Sequence, residues 1–72
     1  MITFYMEARP HMKGALVELR IYQGSHAGEK LSLGEGQVFD RAQWEAFRPL
    51  LVAGIKNSRV PTELHDGTRK EK

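Results

Sequence analysis

The sequence predicts an α+β domain: an antiparallel sheet of about four strands, followed by one C-terminal helix and a disordered polar tail. Three observations carry this expectation. Apolar residues alternate with polar ones at period two up to Phe39, the pattern of strands with one buried face. A helix-start signal then stands at Asp40. Beyond Gly54 no period is sustained. The domain is expected over residues 1–55, with a flexible, basic tail over 56–72.

Ile2-Thr3-Phe4-Tyr5-Met6-Glu7 alternates, with Ile2, Phe4 and Met6 on one side, and reads as a first strand. Pro10 and Gly14 punctuate a turn over Arg9 to Gly14. Ala15 to Tyr22 is the clearest strand. Ala15, Val17, Leu19 and Ile21 point one way, toward the helix, and Leu16, Glu18, Arg20 and Tyr22 form an open face. Gln23 to Gly28 is a polar loop. Glu29 to Leu33 is a weaker strand with Leu31 and Leu33 inward. Gly34-Glu35-Gly36 makes a tight turn, and Gln37-Val38-Phe39 is a short last strand.

Asp40 caps the helix because its carboxylate accepts from free N–H groups of the first turn. Gln43, three residues on, completes a capping box, and Phe39 and Trp44 have the spacing of a hydrophobic staple. Trp44, the single tryptophan, begins an apolar stripe with Phe47 and Leu51, which reads as core. Pro49 removes the hydrogen bond to the Glu45 carbonyl, so a kink or break is expected there. Gly54 is the natural stop. The Val60-Pro61-Thr62-Glu63-Leu64 segment is expected at most to dock weakly.

With 72 residues the chain makes one small domain, whose core is marginal without a partner. It has no cysteine, which excludes disulfides, thiolate metal sites and thiol nucleophiles. No apolar run approaches a membrane span and no signal peptide is read, so the expected location is the cytoplasm. A net charge of +2 is too small for the footprint of a strong DNA binder.

Nothing in the sequence assembles catalytic chemistry. His11, His26 and His65 fall in separate expected loops or the tail and lack metal-ligand spacing, so each reads as an exposed surface residue. Ser25 beside His26 makes no dyad by adjacency, because triad geometry is spatial. Gly34-Glu35-Gly36 is too short for a phosphate loop and carries an acid. The expectation is a non-enzyme with no cofactor and no metal. The open face offers more. Tyr5, Arg20, Tyr22 and Lys30 can share it, and aromatics with cations on a sheet stack single-stranded nucleic acid. The alternative is a solvated face with pairs such as Glu18 beside Arg20 or Lys30.

One resemblance runs over residues 14 to 51. Val17-Glu18-Leu19-Arg20-Ile21-Tyr22, then Gly28, then Gly36-Gln37-Val38-Phe39, then Gln43-Trp44 resembles the core of the positive cofactor 4 family, single-strand-binding transcriptional coactivators. The resemblance implies a four-stranded curved sheet, a C-terminal helix that helps form a dimer, and a role in transcription or single-stranded DNA handling. It places Arg20 and Tyr22 near the binding face and Trp44 as helix anchor. The family's basic turn is missing: here it reads Ser32-Leu33-Gly34-Glu35-Gly36, and an acid there repels phosphate. Such a scaffold without its phosphate contacts resembles small phage-encoded regulators that bind host RNA polymerase.

The expected function is therefore a non-catalytic transcription regulator bound to RNA polymerase or an associated transcription protein in the cytoplasm, the host's for a phage-encoded chain. The alternative is a coactivator-like dimer on single-stranded DNA. The chain itself is expected to be a monomer or weak homodimer, away from membranes. The candidate binding residues are Tyr5, Arg20, Tyr22 and Lys30 on the sheet and Lys56 and Arg59 in the tail.

Overall fold

The computed structural model describes residues 2–24 and 28–69. The middle of the expected polar loop (25–27, with His26) and the last three residues of the expected tail lie outside them. The fold is α+β. Strand β1 (Phe4–His11) turns through a short 3₁₀ segment (Met12–Gly14) into β2 (Leu16–Gly24). Strands β3 (Lys30–Ser32) and β4 (Gln37–Asp40) follow, then helix α1 (Arg41–Lys56) and strand β5 (Thr62–Asp66). The sheet runs β3-β2-β1-β5, with β4 also pairing β2. β3 takes the Tyr22–Gly24 end of β2, and β4 takes the Leu16–Leu19 end. All pairs are antiparallel except β1 with β5. The sheet is thus five-stranded and mixed, where four antiparallel strands were expected.

Strand β1 continues through Pro10, where the sequence reads a turn. The register explains why. Phe4 N–H donates to the Pro61 carbonyl and Gly67 N–H to the Ala8 carbonyl, so even-numbered positions of β1 face β5. The N–H that Pro10 lacks would point to that side, beyond the last paired residue of β5, while its partner on β2 is Val17. The turn itself is left-handed: Met12, Lys13 and Gly14 have φ of 49°, 59° and 92°. Only Gly14 adopts this freely; each non-glycine residue there costs about 1–2 kcal/mol. At the far end of β2, Gly24 has φ 126°, and a Cβ would collide with the Glu29 carbonyl oxygen. Glycine alone permits β3 to approach there.

Helix α1 starts as the sequence reads it. Asp40 accepts from Gln43 N–H at 2.8 Å, and Gln43 Oε1 accepts from Asp40 N–H at 3.2 Å. The Phe39 and Trp44 rings lie 5.9 Å apart, which is the staple. The helix does not stop at Pro49 or Gly54 but continues to Lys56, with Asn57 N–H on the Ala53 carbonyl. Pro49 and Glu45 are both on the exposed side of the helix. The carbonyl that Pro49 leaves without a donor can therefore meet water, which offsets the lost hydrogen bond.

Ala8, Val17, Leu19 and Trp44 form the buried core, with Met6, Phe39, Phe47, Leu51 and Leu64 packed around it. Val17 and Leu19 face the helix, as their alternation requires. Leu31 and Leu33, expected to be inward, are not buried: they are 65% and 46% exposed. The register places Leu31 opposite Gln23 on the helix side of the sheet, but α1 packs over β4, β2 and β5 and leaves that edge uncovered.

The helix is also not C-terminal, and the polar segment after it is not a disordered tail. Residues 62–66 add a strand beside β1, so ordered structure extends past the expected boundary at residue 55. Thr62, Leu64 and Asp66 alternate inward with exposed Glu63 and His65. Side-chain links tie the segment to the helix: Trp44 Nε1–H to Thr68 Oγ1 at 3.2 Å, Arg48 Nε–H to Asp66 Oδ2 at 2.5 Å, and Arg69 Nη2–H to Glu45 Oε1 at 2.8 Å. Trp44→Ala should cost about 3–5 kcal/mol in chemical denaturation; a native-like midpoint would show that Trp44 is not the anchor. A chain ending at Arg59 should lose its cooperative melt, whereas an unchanged melt would mean that β5 contributes nothing.

Candidate functional site

The open sheet face gathers four of the six expected residues. Tyr5 and Tyr22 are cross-strand partners with ring centroids 6.0 Å apart. The Lys30 ammonium stands 4.7 Å from the centre of the Tyr5 ring and 5.5 Å from that of Tyr22. Arg20 lies farther along β2. The surroundings limit what this face offers as a stacking platform. Tyr5 is only 2% exposed, covered by its neighbours rather than offered to solvent. That burial raises its phenol above the ordinary value, and the carboxylates of Glu7 and Glu63 add to the shift. A base could stack only after displacing Lys30 from both rings, against a cation–π attraction of about 0.5–1 kcal/mol.

Two arginines of this face are already paired. Arg20 Nε–H donates to Glu18 Oε2 at 3.0 Å, and Arg9 pairs with Glu7 at 2.8 Å. His11 Nε2 lies 3.0 Å from Glu18 Oε1. The hydrogen bond with His11 is the main influence lowering the Glu18 carboxyl below its usual value; desolvation opposes it and Arg20 assists. His11 and His65 are exposed, as the sequence implies, but they stand on strands β1 and β5 rather than in a loop and a tail.

Lys56 and Arg59 do not join this set. Lys56 ends α1 in the helix layer, and Arg59 sits in the connection to β5. Both are exposed.

Two other surfaces escaped the reading of the sequence. The first is apolar. Met6, Phe47, Leu50, Leu51, Gly54 and Ile55 line most of an open groove of about 320 Å³ along the second half of α1. Leu50 is 71% exposed at its rim, and Ile21, 39% exposed, lies on the same side of the sheet as Leu31. The signal was available. Trp44, Phe47 and Leu51 take the inward row of the helix, which leaves Leu50 outside it as an apolar residue with no core to enter.

The second surface is basic. Lys13, Gly14, Arg41, Gly67, Thr68 and Arg69 line most of an open crevice of about 600 Å³ at the end of the sheet. Arg41 and Arg69 share the Glu45 carboxylate, at 3.2 and 2.8 Å, and Arg69 also reaches Asp66 at 3.4 Å. Burial pushes the Asp66 carboxyl up, but hydrogen bonds from Thr68 and Arg48 outweigh it and hold the group below its ordinary value. The crevice draws on the β1–β2 turn, the first residue of α1 and the segment after β5, so no local motif announces it.

Among the described residues, no group of three or more His, Cys, Asp and Glu side chains is placed to hold a metal ion. No helix among them is long and apolar enough to cross a membrane. No protein-family model, curated protein or solved structure matches the chain.

The Asp66 network makes stability pH-dependent. A carboxyl depressed by folding contributes its full stability above its unfolded value of about 3.9, and loses it as pH falls through the lower folded value. Asp66→Asn should therefore cost about 2 kcal/mol at pH 7 and flatten the acid limb of the stability curve. Equal acid sensitivity in the variant and the parent, measured by urea denaturation across about pH 2–7, would contradict the assignment.

Proposed function

We propose that this chain is a non-catalytic regulator of transcription that binds RNA polymerase or a polymerase-associated protein through the helix side of its sheet. The observation that carries the protein-binding part is the exposed apolar surface there. Leu50, 71% exposed, rims a groove lined by Phe47, Leu51 and Ile55, and Leu31, 65% exposed, lies on the same side of the sheet. Apolar surface left open on a small domain marks a partner site, and fully desolvated side chains at its centre carry most of the affinity. The link to transcription rests on the resemblance of residues 14 to 51 to single-strand-binding coactivators.

The second reading, a binder of single-stranded DNA, draws on the Tyr5–Tyr22 pair with Lys30. It is the weaker reading because Tyr5 is closed and Arg9 and Arg20 are already paired with carboxylates. Cations held in this way release few counterions on meeting phosphate.

The test immobilises the full chain and measures retention of purified bacterial RNA polymerase. Leu50→Asp should fold normally, since Leu50 is exposed, and should reduce retention at least about tenfold. Tyr22→Ala should change retention little. Retention that survives Leu50→Asp but is lost in Tyr22→Ala would move the site to the open face. Failure of the parent chain to retain polymerase would overturn the proposal, and sedimentation showing a dimer abolished by Leu50→Asp would make the groove a contact between copies.

A further inference from the structure

Resting on that reading, we propose that the basic crevice at the end of the sheet receives an acidic segment of the protein partner, with carboxylates seated on Arg41, Arg69 and Lys13. Among the described residues here, Lys13, Arg41, Arg48 and Arg69 stand against the carboxylates of Glu45 and Asp66. Asp40, next to Arg41, adds a third carboxylate, because its hydrogen bond from Gln43 N–H leaves its charge in place. Lys13 makes no ion pair with a described residue. The excess is one positive charge, and the charged residues that line the recess, Lys13, Arg41 and Arg69, are all basic, whereas Arg9 and Arg20 on the open face are each matched by a glutamate.

The geometry also shows which anion the recess takes. Glu45 places one oxygen on each guanidinium, Oε2 on Arg41 and Oε1 on Arg69. One carboxylate therefore bridges both arginines, with the forked donors that such pairs favour. Glu45 is itself 42% exposed, so an incoming carboxylate can compete with it from solvent. No aromatic ring among the described residues lines the recess, so it offers no platform for a base.

The backbone places Lys13 at a cost. Its φ of 59° is one that glycine or asparagine would adopt more readily. Met12 and Gly14 share this left-handed conformation, so it belongs to the β1–β2 turn, which fixes where Lys13 stands.

The experiment titrates the isotope-labelled full chain with a capped hexaglutamate peptide, followed by amide NMR at low and physiological salt. Parallel titrations use hexathymidylate and inorganic phosphate. The peptide should give saturable shifts confined to Lys13, Gly14, Arg41 and Gly67 to Arg69. Lys13→Gln keeps the backbone demand and removes only the charge; it and Arg41→Gln should each weaken binding about three- to fivefold. Glu45→Gln removes the internal competitor and should tighten it. Shifts centred on Lys56 and Arg59, no shifts, or variants that bind like the parent would overturn the proposal. Tighter saturation of the same amides by hexathymidylate or phosphate would overturn the choice of carboxylate. Polymerase retention unaffected by Lys13→Gln and Arg41→Gln would overturn the crevice as a partner contact while leaving the functional reading standing. Absence of retention by the parent chain, with the peptide result intact, would remove polymerase as partner and leave the crevice assignment supported.

Discussion

Trp44 joins parts of the chain that the sequence keeps apart. Its ring is fully buried against Ala8, Val17 and Leu19, and it meets Phe39 through the staple at the helix entry. Its indole N–H reaches Thr68, beyond the last strand. A buried N–H must find an acceptor or forfeit a hydrogen bond. The single tryptophan thus demands both an apolar bed under the helix and a polar partner from the segment after β5. That requirement brings Asp66, Arg48 and Arg69 into one network at the same end of the molecule.

The two layers of the domain consequently have different surfaces. The open face matches Arg9 and Arg20 with carboxylates and closes Tyr5 under Lys30. The helix side is incompletely covered, because α1 packs over β4, β2 and β5 and leaves the β3 end of the sheet open. Leu31, Leu33 and Leu50 stay exposed there. A domain this small has little interior to bury apolar groups in, so a partner that covers them would stabilise the fold as well as recognise it. The two proposed contacts, apolar along the helix and basic at the end of the sheet, would supply affinity and orientation respectively.

Much of the first half was legible in the sequence. The alternation from Val17 to Ile21 sorts those residues correctly onto the helix side, and the Asp40–Gln43 box and Phe39–Trp44 staple mark the helix start. These are local signals, and local rules govern them. The rest depended on distant partners. Strand β5 is polar at Glu63, His65 and Asp66, and only Leu64 hints at burial; its order comes from pairing with β1 and from Arg48 and Trp44. Pro10 and Pro49 read as breaks because their missing N–H groups look costly, yet both fall where the lost hydrogen bond is cheap. The placement of Tyr5, Tyr22 and Lys30 on one face followed from parity, whereas the closure of Tyr5 depended on side-chain packing that parity does not specify.

Whether the helix side or the open face would meet the proposed partner is tested most directly by NMR of the chain with methyl-labelled leucine and isoleucine and labelled tyrosine rings, recorded with and without RNA polymerase. A contact on the helix side predicts broadening or shifts at the methyls of Leu31, Leu50 and Ile55, with the ring signals of Tyr5 and Tyr22 unchanged. Perturbed tyrosine rings beside unchanged methyls would contradict it.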